Sequence, residues 1–289
     1  MNSAILSVFC GLGGMFGWGI YDFFAGVYAK KVGAFRTFFW SQSAGFLFVF
    51  LLVPVFLPIL DLSVLPLLLL PVAALLYSAG YLFFMKGFKK GNISIVAAIM
   101  NLWAVFTMLI AFLFMGQRLS AIQTVGVCMI ISGAVLASLN WRDIRNRMFR
   151  LSAGVKETVA GAFFFGSFWN VSEIVSEKMG WLLTTLFVKI GIVLFLLVVS
   201  FLIKQKLSLT GATRKTGTMM ALMGILDAGA VALVNYGLTI GDAILITPIA
   251  SALSVVTIAM AMIFLKDRVT KLQAFGMATA VFGILVTGL

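Results

Sequence analysis

The chain contains no histidine, two cysteines and few charges, and each shortage removes a class of function. Without histidine, the commonest metal ligand and general base near neutral pH is missing. Cys10 and Cys128 lie in separate apolar runs, without metal-ligand spacing and without a disulfide framework. Charged residues make up 10% of the chain, where a soluble domain carries about 25%. That is too little polar surface for a protein that sits in water. A P-loop of the form GxxxxGK[ST] is also lacking. The glycine-rich segment Gly11-Leu-Gly-Gly-Met-Phe-Gly lies inside an apolar run with no strand before it and reads as packing. A solute or proton gradient is therefore the expected driver. The start of the chain shows no basic region and no cleavage site, so its first apolar stretch reads as a retained helix.

What the chain does have is length of apolar sequence. Hydrophobic residues reach 62% and the mean hydropathy is +1.15. A helix of about 20 apolar residues crosses the hydrocarbon core of a bilayer and satisfies its own backbone there. The ten-residue alternation of a membrane barrel is not seen. The expected fold class is an all-α integral membrane protein of ten transmembrane helices, arranged as two inverted five-helix repeats. The spans are expected near 4–28, 34–57, 65–86, 92–115, 120–139, 154–176, 180–203, 217–239, 243–265 and 270–288.

The repeat is visible without gaps. Shifted by 150 positions, residues 91–138 lie over 241–288, matching Gly91 with Gly241, Ile99 with Ile249, Thr107 with Thr257, Arg118 with Arg268 and Gln123 with Gln273. Gly126 and Gly133 fall on Gly276 and Gly283; these four glycines read as helix-packing positions. At a shift of 147, Gly14, Phe16, Gly19, Lys31 and Gly33 fall on Gly161, Phe163, Gly166, Lys178 and Gly180. The division expected is a first repeat over residues 1–139, a basic connection over 140–153, and a second repeat over 154–289. Five spans per copy is an odd number, so the second copy enters from the opposite side, an arrangement that recurs in secondary transporters.

The segment Phe112-Leu-Phe-Met-Gly-Gln-Arg-Leu-Ser, followed by Gln123, Gly126 and Gly133, is matched by Ile263-Phe-Leu-Lys-Asp-Arg-Val-Thr with Gln273, Gly276 and Gly283. This doubled pattern resembles the EamA-like family of the drug/metabolite transporter superfamily, whose repeat ends in a GERLT…Q…G…G signature. The early Trp18-Gly-Ile-Tyr-Asp-Phe-Phe segment is similar to some members. The resemblance implies transport of amino acids, other metabolites or drugs, often outward. Two departures stand out: the usual acidic residue before the arginine is Gln117 in the first copy and Asp267 in the second, which leaves a loop salt bridge only near Arg268.

Eighteen Lys and Arg residues fall in the connections on one side, against Arg118 and Lys178 on the other. The positive-inside rule then places both termini outside the cytoplasm, whereas the resemblance implies both inside. The same placement reads the net charge of +12 as topology signalling rather than nucleic-acid binding.

Ionisable groups inside spans are costly and mark candidate sites. The candidates for a solute-binding cavity are Trp18, Tyr21 and Asp22 of the first span, with Tyr77 and Tyr81 of the third. Asn101 and Trp103 come from the fourth; Asn170 and Glu173 from the sixth, on a polar stripe running from Gly166 to Glu177. Lys189 comes from the seventh, Asp227 and Asn235 from the eighth, and Ser251 and Ser254 from the ninth. Asn101 and Ser251 are repeat equivalents, expected near the pseudo-twofold axis. Pro248 removes a backbone donor and marks a kink. Two readings stay open: these groups line a cavity, or they satisfy one another, with Lys189 paired to Glu173 or Asp227.

The function expected is secondary transport of a small metabolite, foremost export of an amino-acid-like solute by alternating access; multidrug efflux, sugar uptake and a non-transporting sensor or scaffold are the rivals. No catalytic or metal site and no cofactor is expected, and the chain is not read as an enzyme. The expected partners are a small-molecule solute and the lipid bilayer of the cell membrane, with a homodimer left open.

Overall fold

The computed structural model describes residues 3–58, 63–90, 99–139, 154–209, 213–266 and 269–288. The chain is all-helical over these residues. The first copy supplies α1 (Ser3–Val32), α2 (Ala34–Phe56), α3 (Val64–Lys90), α4 (Trp103–Phe114) and α5 (Ala121–Ser138). The second supplies α6 (Val155–Met179), α7 (Trp181–Leu202), α8 (Arg214–Leu238), α9 (Ala243–Ser251), α10 (Leu253–Phe264) and α11 (Lys271–Thr287). Counting α9 and α10 as one interrupted span gives ten among the described residues. Seven of these are long and apolar enough to cross a membrane by length and composition. Of the rest, α4 and α11 are short apolar helices, and α6 carries Lys156, Glu157, Glu173, Glu177 and Lys178. The connection 140–153 and residues Ala98, Asp267 and Arg268 lie outside the described residues.

Each span buries its polar or small face and turns its large apolar residues outward. Helix α2 buries Ser41, Gln42 and Gly45 while Leu47, Phe50 and Leu51 are more than half exposed. Lipid tails are as apolar as leucine, so only polar satisfaction and close packing hold such helices together. Helices α1 and α6 run a few residues beyond their expected ends, each stopped by a glycine. Gly33 and Gly180, repeat equivalents, adopt φ of 93° and 81°, a region that glycine enters without a Cβ penalty. The next helix starts immediately.

The signature residues of each copy are capping groups. The Ser120 hydroxyl accepts from Gln123 N (3.2 Å) and the Gln123 side-chain Oε1 accepts from Ser120 N (3.0 Å). Thr270 and Gln273 repeat this reciprocal pair at 3.3 and 3.0 Å. Two otherwise orphaned N–H groups are satisfied at the start of α5 and again at α11. Arg118 closes the end of α4 by donating to the Phe112 and Gln117 carbonyls, with its guanidinium 4.0 Å above the Phe112 ring. Ser120→Ala and Thr270→Ala are each expected to cost about 1 kcal/mol. Their effects should add in the double variant, as followed by thermal unfolding in detergent.

The relative direction of the two copies follows from α5 and α11. A Cβ on Gly133 would meet the Gly276 carbonyl at 2.6 Å, and one on Gly276 would meet the Gly133 carbonyl at 2.7 Å. Gly126 and Gly283 face each other in the same way, at 2.8 and 2.6 Å. As position rises on one helix it falls on the other, so two equivalent helices lie antiparallel. The repeats are inverted. The same symmetry recurs at helix 1 of each copy. Gly166 packs on Trp103 and Phe106, Gly19 on Leu253 and Val256, and Thr107 and Thr257 donate to the Gly166 and Gly19 carbonyls at 3.2 and 3.0 Å.

These contacts join opposite copies. Helix α1 packs on α8, α9 and α10, α8 also packs on α2, and α6 packs on α3 and α4, with α3 also on α7. The repeat relation, which matches the α2–α8 contact with the α7–α3 contact, divides the helices into two mixed bodies: α1, α2, α8, α9 and α10 in one bundle, and α3, α4, α6 and α7 in the other. Helix α7 also packs on α2 and α8 across the seam between them. Helices α5 and α11 pair beside them.

The expected kink differs in place and cause. The ninth span breaks at Ala252, four residues past Pro248, where Ala252 N bonds Ile249 O at 3.1 Å. The fourth span turns at its equivalent position, Leu102 N to Ile99 O at 3.0 Å, although its sequence has alanine where the ninth has Pro248. Proline alone does not make the break.

Candidate functional site

The seam between the two bundles carries most of the polar side chains singled out by sequence. At its centre, the Asp227 carboxylate of α8 accepts four donors. Trp18 Nε1 (3.1 Å) and the Tyr77 hydroxyl (3.2 Å) reach Oδ1; Gln42 Nε2 (2.7 Å) and Lys189 Nζ reach Oδ2. Lys189 of α7 also donates to Gln42 Oε1 at 2.7 Å and lies 5.4 Å from the centre of the Tyr77 ring. The ion pair is sealed, with side-chain exposures of 0% for Lys189 and 1% for Asp227. Of the two pairings left open above, the structure has Lys189 with Asp227.

The cluster sits on the pseudo-twofold axis. A shift of 147 carries Gln42 onto Lys189, and a shift of 150 carries Tyr77 onto Asp227. Three of its bonds cross the seam: Lys189 to Asp227, Lys189 to Gln42, and Tyr77 to Asp227. Trp18 and Gln42 approach Asp227 from within its own bundle.

An aromatic layer covers this centre. Trp18, Trp103 and Trp169 contact one another pairwise with ring centres 5.3 to 6.4 Å apart. Trp169 escapes a search based on ionisable groups, as does Gln42, a neutral residue flanked by two serines. The usable signal for Gln42 was its repeat position opposite Lys189.

Toward the end of the seam that holds Arg118 and Lys178, Asn235 bridges the bundles, accepting from Ser172 at 2.8 Å and donating to Thr185 at 2.9 Å. One turn farther, Glu173 Oε1 accepts from Ala243 N (3.0 Å) and Gln117 Nε2 (2.8 Å), while Gln117 Oε1 accepts from Ile244 N (3.1 Å). Glu173 and Gln117 thus tie the start of α9 to the other bundle, where the N-terminal dipole favours a carboxylate. The polar stripe on α6 ends there, because Glu177 is exposed.

Toward the basic end, Tyr81 stacks on Phe38 with ring centres 3.3 Å apart. Arg36 and Trp40 donate to the Lys206 and Leu207 carbonyls at 3.0 and 2.8 Å. Tyr21 is within 3.3 Å of the Ser41 hydroxyl in its own bundle. Asp22 is half-buried, one turn of α1 beyond Trp18.

The remaining candidates bond to helix backbone or to serine hydroxyls. Asn101 donates to Ser138 (3.0 Å) and Ser254 (3.4 Å), so its partner across the axis is Ser254 rather than Ser251. Ser251 bonds the Pro248 carbonyl of its own helix at 2.7 Å. Asn170 donates to the Gly166 and Thr107 carbonyls at 2.9 and 3.2 Å and holds α6 on α4.

Among the described residues, side-chain contacts bridge the seam at both ends, and Trp18, Tyr77 and Trp103 at its centre are 8% exposed or less. A surface groove lined by Phe50, Leu51, Val53, Pro54, Leu57 and Pro58 lies at the end of α2, far along that helix from Gln42. The centre thus brings together an ion pair, neutral hydrogen-bonding groups and aromatic rings, buried side chains of the kinds that line small-molecule sites.

Twenty-eight chains of known structure match this fold. One, described only as "Crystal structure of protein", superposes with a TM-score of 0.78 over 97% of this chain and 96% of that chain at 16% sequence identity. Comparison with curated proteins gives no match. The model of the EamA-like transporter family matches twice, over residues 5–139 and 153–289. Two matches, one on each inverted copy, cover nearly the whole chain: it is a multi-pass membrane protein and belongs to the EamA-like transporter family.

Proposed function

We propose that this protein exports a small amino-acid-like solute by alternating access, with the solute held where Lys189, Asp227, Gln42, Tyr77 and Trp18 meet. The observation that carries this reading is the position of that cluster. It lies on the pseudo-twofold axis and across the seam between two bundles, with closing contacts at either end. A charged centre between closable ends is what alternating access requires, since inverted repeats let one structure open to either side in turn. Within this reading the repeats, residues 1–139 and 154–289, supply the symmetry, and the mixed bundles are the bodies that rock. Glu173 and Gln117 act as the latch at one end, the Phe38–Tyr81 stack and Arg36 at the other. Asp22 lines the route on the basic side.

Within the same reading both termini lie outside the cytoplasm, a topology supported by the excess of basic residues in the connections on the other side. Export agrees with the habit of the family. Purified protein in liposomes loaded with unlabelled amino acids should accumulate labelled amino acid by counterflow well above empty liposomes; background flux across amino acids rejects the reading. Orientation is checked separately in a Cys128→Ala background, since Cys128 is the exposed native thiol. Lys178→Cys should react with an impermeant thiol reagent added to intact cells and Lys206→Cys should not. The reverse pattern turns the topology over.

A further inference from the structure

We infer that the Lys189–Asp227 ion pair is the carrier's two-point recognition element. A zwitterionic solute enters by exchange, its carboxylate taking Lys189 and its ammonium taking Asp227. This rests on the transport reading above and specifies the charge pattern of the solute within it.

The two charges belong to different bundles, so parting of the bundles must part the pair. Asp227 then keeps two neutral donors from its own side, Trp18 at 3.1 Å and Gln42 at 2.7 Å. Lys189 loses both of its hydrogen-bond acceptors, Asp227 and Gln42, and retains only the Tyr77 ring, 5.4 Å away. A buried charge without a partner is costly, and leaving either one bare opposes closure of the seam. A cationic solute satisfies Asp227 and leaves Lys189 bare; an anionic one does the reverse; a neutral one serves neither. A solute with both charges lets the seam close around it with every charge paired. Discrimination of this kind comes from the penalty on the wrong ligand. Between cycles the two side chains satisfy each other, which lets the bundles close and reopen on the other face.

The two charges are confined to the second copy: the first fills the equivalent positions with the neutral Gln42 and Tyr77.

The test uses counterflow in proteoliposomes with four forms of one carbon skeleton: the free amino acid, its amide (cation), its N-acetyl derivative (anion) and the N-acetyl amide (neutral). Alanine, leucine and tryptophan skeletons are each tried. The free amino acid should compete at concentrations about tenfold or more below the other three forms. In Lys189→Gln the amide should draw level with the free amino acid. Because a single change strands one buried charge, the double variant Lys189→Gln/Asp227→Asn serves as the fold-safe control. It should lose the preference for the free amino acid and raise its half-competing concentration about tenfold or more. Equal competition by all four forms in the parent protein, or unchanged preference in the double variant, overturns the exchange and leaves transport standing. Counterflow with none of the forms on any skeleton overturns the transport reading and the exchange together.

Discussion

Asp227→Ala is expected to destabilise the protein by about 3–5 kcal/mol, because it leaves the Lys189 ammonium buried without its counter-charge. The Trp18, Gln42 and Tyr77 donors lose their common acceptor at the same time, and each unsatisfied buried donor adds to the loss. The double variant Lys189→Gln/Asp227→Asn removes both charges while keeping side chains of similar volume. It should recover most of that stability, since replacing a buried pair by neutral groups is often close to neutral. Thermal unfolding midpoints in one detergent compare the three proteins. If the single and double variants unfold together, the pair is not what holds the bundles at the centre.

Gly133→Leu is expected to do comparable damage by a different route. A Cβ at this position already falls 2.6 Å from the Gly276 carbonyl, and the atoms it meets include backbone of α11. The opposing helix must therefore move as a whole, so the cost should reach or exceed the upper end of the roughly 1–3 kcal/mol seen for overpacking. Gly276→Leu should match it by symmetry. Gly26→Ala is the control: no atom lies within 4 Å of a Cβ there, and alanine favours the helix by about 0.8–1.0 kcal/mol over glycine. It should be neutral or slightly stabilising on the same unfolding scale. Equal loss at Gly133 and Gly26 would mean that the α5–α11 contact is not closely packed.

Over the described residues the positions of the spans, their doubling and the packing glycines were legible in the sequence, because a bilayer imposes a length and a polarity on each segment that no tertiary contact can relax; the start of the expected fourth span, 92–98, lies outside those residues. Gly126, Gly133, Gly276 and Gly283 were recognisable for the same reason: small residues at repeated positions have few uses in a membrane other than close approach. Asp227 and Lys189 stood out as charges within apolar runs. Gln42 and Trp169 did not, since a neutral amide and one more tryptophan carry no local signal of their own.

Sequence by itself settled an all-helical, twice-built membrane protein of inverted design and named most of the residues at its centre. Tertiary structure alone decided who meets whom. It joined Lys189 to Asp227 rather than to Glu173, set Glu173 as a cap on a helix that begins 70 residues later, and mixed the two copies into bundles that cut across the repeat. Burial and hydropathy act on each helix separately. A partner across the seam is fixed by how helices distant in the chain are rotated and staggered, which packing determines and local sequence does not.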